Sequence, residues 1–482
     1  MRALVIRMLW IAALLAPDAA ARGDETAAWP PLPGPAPDAV VVRGATIWTC
    51  GPAGILESAD LLAVGGRIVR VGRDLEAPAG ALVIEAHTKH VTPGLVDCHS
   101  HSDIVGGVNE FTNTCTAEVR IGDVVNSKSI AIYRELAGGL TVSNLLHGSA
   151  NAIGGQNAVI RLRWGETPAK LLFEGATPGI KFALGENPKR SNWSSGPERY
   201  PKTRMGVEQA IRERFLAALD YMRAWEEFEK SKRSRSALPP RRDLQLEALA
   251  EVLRGERLVH SHSYRQDEIL MLLRVADDFG FGIGVFQHVL EGYKVADEIA
   301  QGGAGASAFS DWWAYKFEVY DAIPYNGTLM RERDVVVSFN SDSRELARRM
   351  NLEAAKAVKY GDTPEPEALE FVTLNPAIQL GIDDRVGSLE PGKDADFVIW
   401  SGDPLSTYTV CEQTWIEGRK YFDRARDLAA REAMYAARQE LLEEARQARQ
   451  KSDEGSGGDW EPSWLESQEH EHSCTGHGEV QP

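Results

Sequence analysis

Cysteine is scarce in this chain, and what there is lies scattered. Cys50, Cys98, Cys115, Cys411 and Cys474 include no C-x-x-C pair, which excludes a disulfide framework and a zinc knuckle. One bridge, Cys50 with Cys411, is compatible with an exported chain. Basic charge is also in deficit. The formal net charge is −17, which argues against a nucleic-acid partner, since binding that backbone needs a basic face. The apolar run at the start, Met8–Leu15, is too short to cross a bilayer as a helix. No internal repeat is present, which leaves repeat architectures without support.

What is present fits one large domain and a smaller one in 482 residues. Residues 1–21 read as an export signal: Arg2 and Arg7 flank the apolar run, and Ala19-Ala20-Ala21 offers a small-residue cleavage site. The expected location is periplasmic or extracellular, with no membrane span after cleavage. Residues 22–38, with Pro30, Pro31, Pro33, Pro35 and Pro37, read as a stiff extended linker. Short strands separated by turns fill residues 39–90, and a second set fills residues 383–423. Neither set is large enough to stand alone, so the two chain ends are expected to pair into one small β-sandwich domain.

Residues 91–382 alternate strand and helix. Candidate strands end near His101, His147, Arg163, Leu184, His262, His288, Ser310 and Asp342. Leu246, Leu249, Ala250 and Leu253 follow helical spacing, as do Ile269, Leu272, Leu273 and Ala276. The expected fold is α/β, a (β/α)8 TIM barrel, in which catalytic groups sit at the C-terminal ends of the strands. Residues 206–236 read as a long helix with an exposed hairpin and a basic run. Residues 424–450 read as a charged helix with Leu428, Tyr435 and Leu442 at heptad spacing, docking on the barrel or on a second copy of the chain. Residues 451–482 are Gly-, Ser- and Glu-rich and read as a disordered tail. Within it His470, His472, Cys474 and His477 offer at most a loose metal grip.

The stretch that organises the chain is Val91–Asp103, Val-Thr-Pro-Gly-Leu-Val-Asp-Cys-His-Ser-His-Ser-Asp. Side chains two apart on a strand share a face, so His99 and His101 present two imidazoles together, half of a metal site. The other strand ends supply Lys181, His260, His262, His288 and Asp342. His260 and His262 share a face by the same alternation, so either is a candidate ligand. Glu186 is the oxygen donor competing with Lys181, because an ammonium has no lone pair unless it is carboxylated. His147, at the end of the second strand, is a substrate-side or structural residue.

Three further stretches, Leu374-Asn-Pro-Ala, Leu380-Gly-Ile and Gly387-Ser-Leu-Glu-Pro-Gly-Lys-Asp-Ala-Asp-Phe, complete a pattern with Pro93-Gly-Leu-Val-Asp-Cys-His-Ser-His. The chain resembles the amidohydrolase superfamily of metal-dependent hydrolases from Ala39 to about Gly418. It is most similar to the imidazolonepropionase-like and aminoacyl-dipeptidase-like branch, whose fifth-strand motif is matched by His262-Ser-Tyr. The resemblance implies a ligand set of His99, His101, Lys181, His262, His288 and Asp342. It also implies one or two divalent ions, with Lys181 carboxylated in the bridging case. Imidazole and carboxylate donors suit Zn²⁺. Catalytic roles fall to Asp342 as general base and acid and to His288 as a carbonyl polariser.

The expected reaction is hydrolysis of an amide-type C–N bond in a small molecule: an N-acyl amino acid, dipeptide or cyclic amide. Substrate-side candidates are His147, Tyr264, Arg265 and Tyr293. Cationic and aromatic groups after the strands, including Lys189, Arg190, Lys294, Trp312, Trp313 and Lys316, suit a substrate carrying a carboxylate. A lactonase or phosphotriesterase on the same site is the rival enzyme reading. A non-catalytic barrel scaffold is the alternative outside catalysis.

Overall fold

The computed structural model describes residues 29–189, 199–231, 238–312 and 315–453. The expected signal segment, the first part of the linker, Arg190, Trp313, the basic run Lys232, Arg233 and Arg235, and the tail from residue 454 lie outside the described residues. With that tail go His470, His472, Cys474 and His477. The chain forms two units, Leu32–Ala425 and a smaller one of Trp29–Pro31 with the helix from Arg426. In the smaller unit the Trp29 indole donates to Asp427 at 2.8 Å, and Arg431 lies over the Trp29 ring. In the larger unit Arg419 donates to the Gly34 carbonyl at 2.8 Å, which ties the Pro-rich segment down.

Five strands open the larger unit: β1 (Ala39–Trp48), β2 (Ile55–Val64), β3 (Arg67–Gly72), β4 (Leu82–Glu85) and β5 (His90–Pro93). The site-bearing strands follow as β6 (Leu95–Ser100), β7 (Leu140–Leu145), β8 (Ile153–Gln156), β9 (Ala158–Arg161), β10 (Gly179–Ala183), β11 (Leu258–Ser263), β12 (Ile283–His288), β13 (Gly305–Ala308) and β14 (Val337–Phe339). The chain returns through β15 (Phe397–Trp400), β16 (Cys411–Ile416) and β17 (Arg419–Asp423).

Strands from both chain ends share one mixed sheet. Its order is β17-β16-β15-β5-β1-β2-β3, with β4 paired on β1. The seam lies at β5, which runs parallel to β1 (Thr46 opposite His90) and antiparallel to β15 (Phe397 opposite Pro93). The buried face packs Val40, Val42, Ile47, Leu61, Phe397 and Trp415. Cys50 and Cys411 are both buried free thiols, so the bridge admitted from the sequence is not formed. Burial pushes each thiol up to about 12.

The barrel expectation needs a correction at its third strand. Strands β10 to β14 run parallel in one sheet, and β6 and β7 run parallel in a second. Between them β8 is antiparallel to β10, and β9 is antiparallel to β7. Asn157 alone separates the two, so Ile153–Arg161 is one descending strand whose halves belong to different sheets. A parallel return needs a crossover of about a dozen residues or more, and the connection from Leu145 to Ile153 is shorter. Asn157 stitches the joint by donating to Asn144 and accepting from the Gly179 N–H. On the opposite side no ladder joins β14 to β6. The contacts there include the N–H of Asp342 to the His99 carbonyl at 3.2 Å and the N–H of Ser341 to the Asp97 carboxylate at 3.1 Å.

A buried ion network locks the barrel strands to the end sheet. Arg161, in β9, is 1% exposed and donates to Asp394 and, at 2.7 Å, to Asp396. Asp394 is also paired with Arg67 and Arg385. The Lys-Asp-Ala-Asp stretch thus has a structural task. Two helices cover the outer face at Leu244–Leu253 and Gln266–Phe279, the first capped by Asp243 and the second ended by Gly280 in the left-handed region. The long helix after the fourth parallel position spans Arg204–Ser231.

Candidate functional site

Three ligand-type groups converge from two strands. His99 and His101 come from the end of β6, and Asp342 follows β14. One donor atom from each lies within 4.8 Å of the others, and all three residues are buried. The His99 and His101 Nε2 atoms are 3.2 Å apart. Asp342 Oδ1 lies 3.7 Å from the first and 3.4 Å from the second.

Hydrogen bonds on the far side of each ring decide which nitrogen faces the centre. The His101 Nδ1 donates to the Leu146 carbonyl at 2.9 Å. The His99 Nδ1 donates to Gln287 Oε1 at 3.1 Å. Each Nε2 then carries a lone pair, and two lone pairs facing one another beside a carboxylate make a cation site. Lys181 Nζ, 3.1 Å from His99 Nε2, already supplies positive charge there. Burial, followed by the charge of Lys181, holds His99 and His288 well below the ordinary histidine range. Burial brings His101 down to about 4 against the opposing pull of Asp342. The rings are therefore neutral at physiological pH, the state a metal ligand needs.

The remaining candidates extend the cluster. The His288 ring lies 4.5 Å from His99 and 4.9 Å from His262, and its Nε2 is 3.9 Å from Asp342 Oδ2. Both His288 nitrogens and His262 Nδ1 are buried without a hydrogen-bond partner among the described residues. Such orphaned imidazole atoms around a shared acid fit a divalent cation. Alternation on β12 sends Gln287 to the interior. His288 joins it there only because its backbone turns to φ 69°, and Val289 follows at φ 40°. Asp342 is delivered in the same way at φ 44°. Positive φ at non-glycine residues is costly and concentrates at functional sites.

His260 is held away from that group. Its Nδ1 accepts from Gln287 Nε2 at 3.4 Å, and its ring packs against Gly179. Of the two histidines on β11, His262 is thus the one beside His288. Its Nε2 is 3.5 Å from Asn187 Nδ2. Glu186 opens a short helix, Glu186–Lys189, and not a loop as its position after the strand suggested; its N–H donates to Glu318 at 2.9 Å, while Lys181 reaches the centre.

His147 is not available to a substrate. Its Nδ1 donates to the Gly148 carbonyl at 2.8 Å, and its Nε2 accepts the Glu110 N–H at 2.8 Å. With both nitrogens committed to backbone, its role is to pin the loop over β8. Tyr264 is brought in: it is 1% exposed, with its ring 4.5 Å from His262. Arg265 turns outward to Asp267, and the Tyr293 hydroxyl donates to the Asp321 carbonyl on the exposed rim. Their polar atoms are engaged away from the histidines.

Two residues at the centre were not singled out from the sequence. Gln287 fixes His99 and touches His260. Asp97 accepts the His99 and Ser341 N–H groups, each at 3.1 Å, and the Ser341 hydroxyl, so it fastens β6 to the segment carrying Asp342. Strand alternation with His99 and His101 was the available signal for Asp97.

A sequence profile of the amidohydrolase family matches residues 327–421. The amidohydrolase tasK of Hapsidospora irregularis is 30% identical over 426 residues, which are 80% of this chain and 43% of that one. The chain therefore spans less than half the length of that relative. An imidazolonepropionase of Pseudomonas fluorescens is 27% identical over 399 residues, 73% of this chain and 90% of its own. Among solved structures, an amidohydrolase from Thermotoga maritima MSB8 is 32% identical, with a TM-score of 0.73 over 80% of this chain and 100% of that one.

Proposed function

The chain belongs to the amidohydrolase family, and on that premise we propose that it is a metal-dependent hydrolase of an amide-type C–N bond in a small molecule. Family membership implies a TIM-barrel-like fold, and the two arcs of parallel strands agree with it. One observation carries the reading: neutral His99 and His101 turn their lone pairs onto each other beside buried Asp342. These three residues would hold the cation, with His262 and His288 completing the set and Lys181, if carboxylated, adding an oxygen donor. Zn²⁺ is the preferred ion for such donors. When bound, the ion supplies a Lewis acid that polarises a carbonyl and acidifies water.

The chain's own residues do the rest. Asp342 takes the proton of the attacking water and returns it to the leaving nitrogen. Neither nitrogen of neutral His288 has a hydrogen-bond partner among the described residues, and where it is not itself a ligand it offers an N–H to the carbonyl oxygen as charge develops on it. Asn187, held by Ser149 at 2.7 Å, and Tyr264 close the side beside His262. The imidazolonepropionase relative supports a C–N bond over an ester or phosphotriester. The signal-like segment at residues 1–21 supports action outside the cytoplasm. No helix among the described residues is long and apolar enough to cross a membrane.

The test is hydrolysis by Zn²⁺-loaded protein of N-acyl amino acids, dipeptides and cyclic amides, beside lactones and organophosphates, with and without chelator. Asp342→Asn with its metal content verified should lose at least about 100-fold in kcat. Undiminished turnover in that variant would remove Asp342 from the chemistry. Turnover of lactones or phosphotriesters alone would transfer the site to the rival class.

A further inference from the structure

Lys316 is a buried cation beside the histidine cluster. It follows β13, and its side chain is 10% exposed. Its ammonium has no hydrogen-bond partner among the described residues. The nearest carboxylate oxygen, Glu318 Oε2, is 3.5 Å away. Glu318 is already served on its other oxygen by Arg204 and by the Glu186 N–H, both at 2.9 Å. The second buried acid of this cluster, Glu268, takes the Gly185 N–H at 2.9 Å and lies 3.3 Å from Arg204. Burial pushes Glu268 up to about 7. Glu318 Oε2 likewise has no hydrogen-bond partner among the described residues, so Lys316 faces it as an ion pair at 3.5 Å with none of its donors engaged in a hydrogen bond there.

Its position ties it to the reaction centre. The ammonium lies 4.3 Å from the Tyr264 ring centre, and that ring is 4.5 Å from His262 and 5.7 Å from His288. Tyr315 donates its hydroxyl to that of Tyr264 at 2.9 Å. On the other flank Phe309 stacks on His288 at 4.5 Å, and Trp312 stacks on Phe309 at 4.1 Å. An apolar slab and a desolvated cation therefore border the same histidines.

An ammonium carries three donors and no acceptor, and a buried charge left without hydrogen bonds is expensive. A carboxylate supplies the missing acceptors in their strongest form. Resting on the hydrolase reading above, we propose that Lys316 receives the free carboxylate of an N-acyl amino acid or dipeptide substrate, with the Phe309–Trp312 slab taking its apolar side chain. Specificity then falls on substrates whose scissile amide has a carboxylate next to it.

The experiment compares N-acetyl-leucine with N-acetyl-leucinamide on the full-length, metal-loaded protein. For Lys316→Met, KM for the acid should rise about 10- to 100-fold, while kcat/KM for the capped analogue stays within about 2-fold. Lys316→Arg should recover most of the loss. Equal losses on both compounds, or no preference for the acid in the wild type, would overturn the subsite. Titration calorimetry with the same pair reads the contrast without turnover. Acid-selective binding that Lys316→Met abolishes, seen without hydrolysis, keeps the subsite and removes the hydrolase reading. A thermal melt of each variant guards against misfolding.

Discussion

Replacing Gln287 by leucine should loosen the metal centre without unfolding the protein. Its carbonyl oxygen is the acceptor for His99 Nδ1–H at 3.1 Å, and that bond keeps the Nε2 lone pair aimed at His101 and Asp342. Leucine fills similar space but accepts nothing. His99 is then free to exchange tautomers, which puts an N–H where the cation needs a donor atom. Loss of such a partner costs about 10- to 100-fold in metal affinity, or roughly 1.4–2.7 kcal/mol. The range agrees with the price of about 1–3 kcal/mol for a buried N–H left unpaired. Gln287→Glu keeps an acceptor for His99 and should bind far better than the leucine variant. Metal-stripped proteins titrated with Zn²⁺ against a chromophoric chelator give the affinities, and circular dichroism checks the fold. If Gln287→Leu binds within about 2-fold of the wild type, the tautomer argument fails.

Two further outcomes follow from buried charge. Arg161→Met leaves buried Asp396 without its cation and takes one of three from Asp394, and should cost about 3–5 kcal/mol. Urea denaturation measures it, and an unchanged midpoint would deny the network its role. Glu268 has a folded value of about 7 against an ordinary 4.5, so its contribution is fully present below pH 4.5 and is lost as pH rises through about 7. The swing is about 3 kcal/mol. Glu268→Gln should flatten the fall in Tm between pH 5 and 7.5, and an identical slope in both proteins would contradict the assignment.

Much of the centre could be read from spacing. Two-residue alternation put His99 and His101 on one face, and the structure brings their Nε2 atoms together. Alternation is silent where the backbone leaves the strand. It makes Gln287 the inward residue of β12, and His288 joins it through a positive φ that no periodicity announces. His147 ends a strand as a site residue would, but its nitrogens are claimed by the Gly148 carbonyl and the Glu110 N–H. Hydrogen-bond commitments of that kind are tertiary facts. The descending strand was hidden for another reason. Gly154 and Gly155 carry no hydrophobic signal, yet a Cβ on either would come within 2.7 Å of His147 Nδ1 or 2.6 Å of Val119 Cγ2.

The seam at β5 has a consequence for biosynthesis. Pro93 closes β5, and after Gly94 the chain enters the strand bearing His99 and His101. The strand that covers the open edge of β5, Phe397–Trp400, is translated about 300 residues later. Until the ribosome reaches it, a nascent chain holds an uncovered edge next to its first two site histidines, a surface prone to pairing with another chain. Fragments that stop before Trp400 should accumulate as aggregates, and the full-length chain should depend on chaperones that bind extended edges during synthesis.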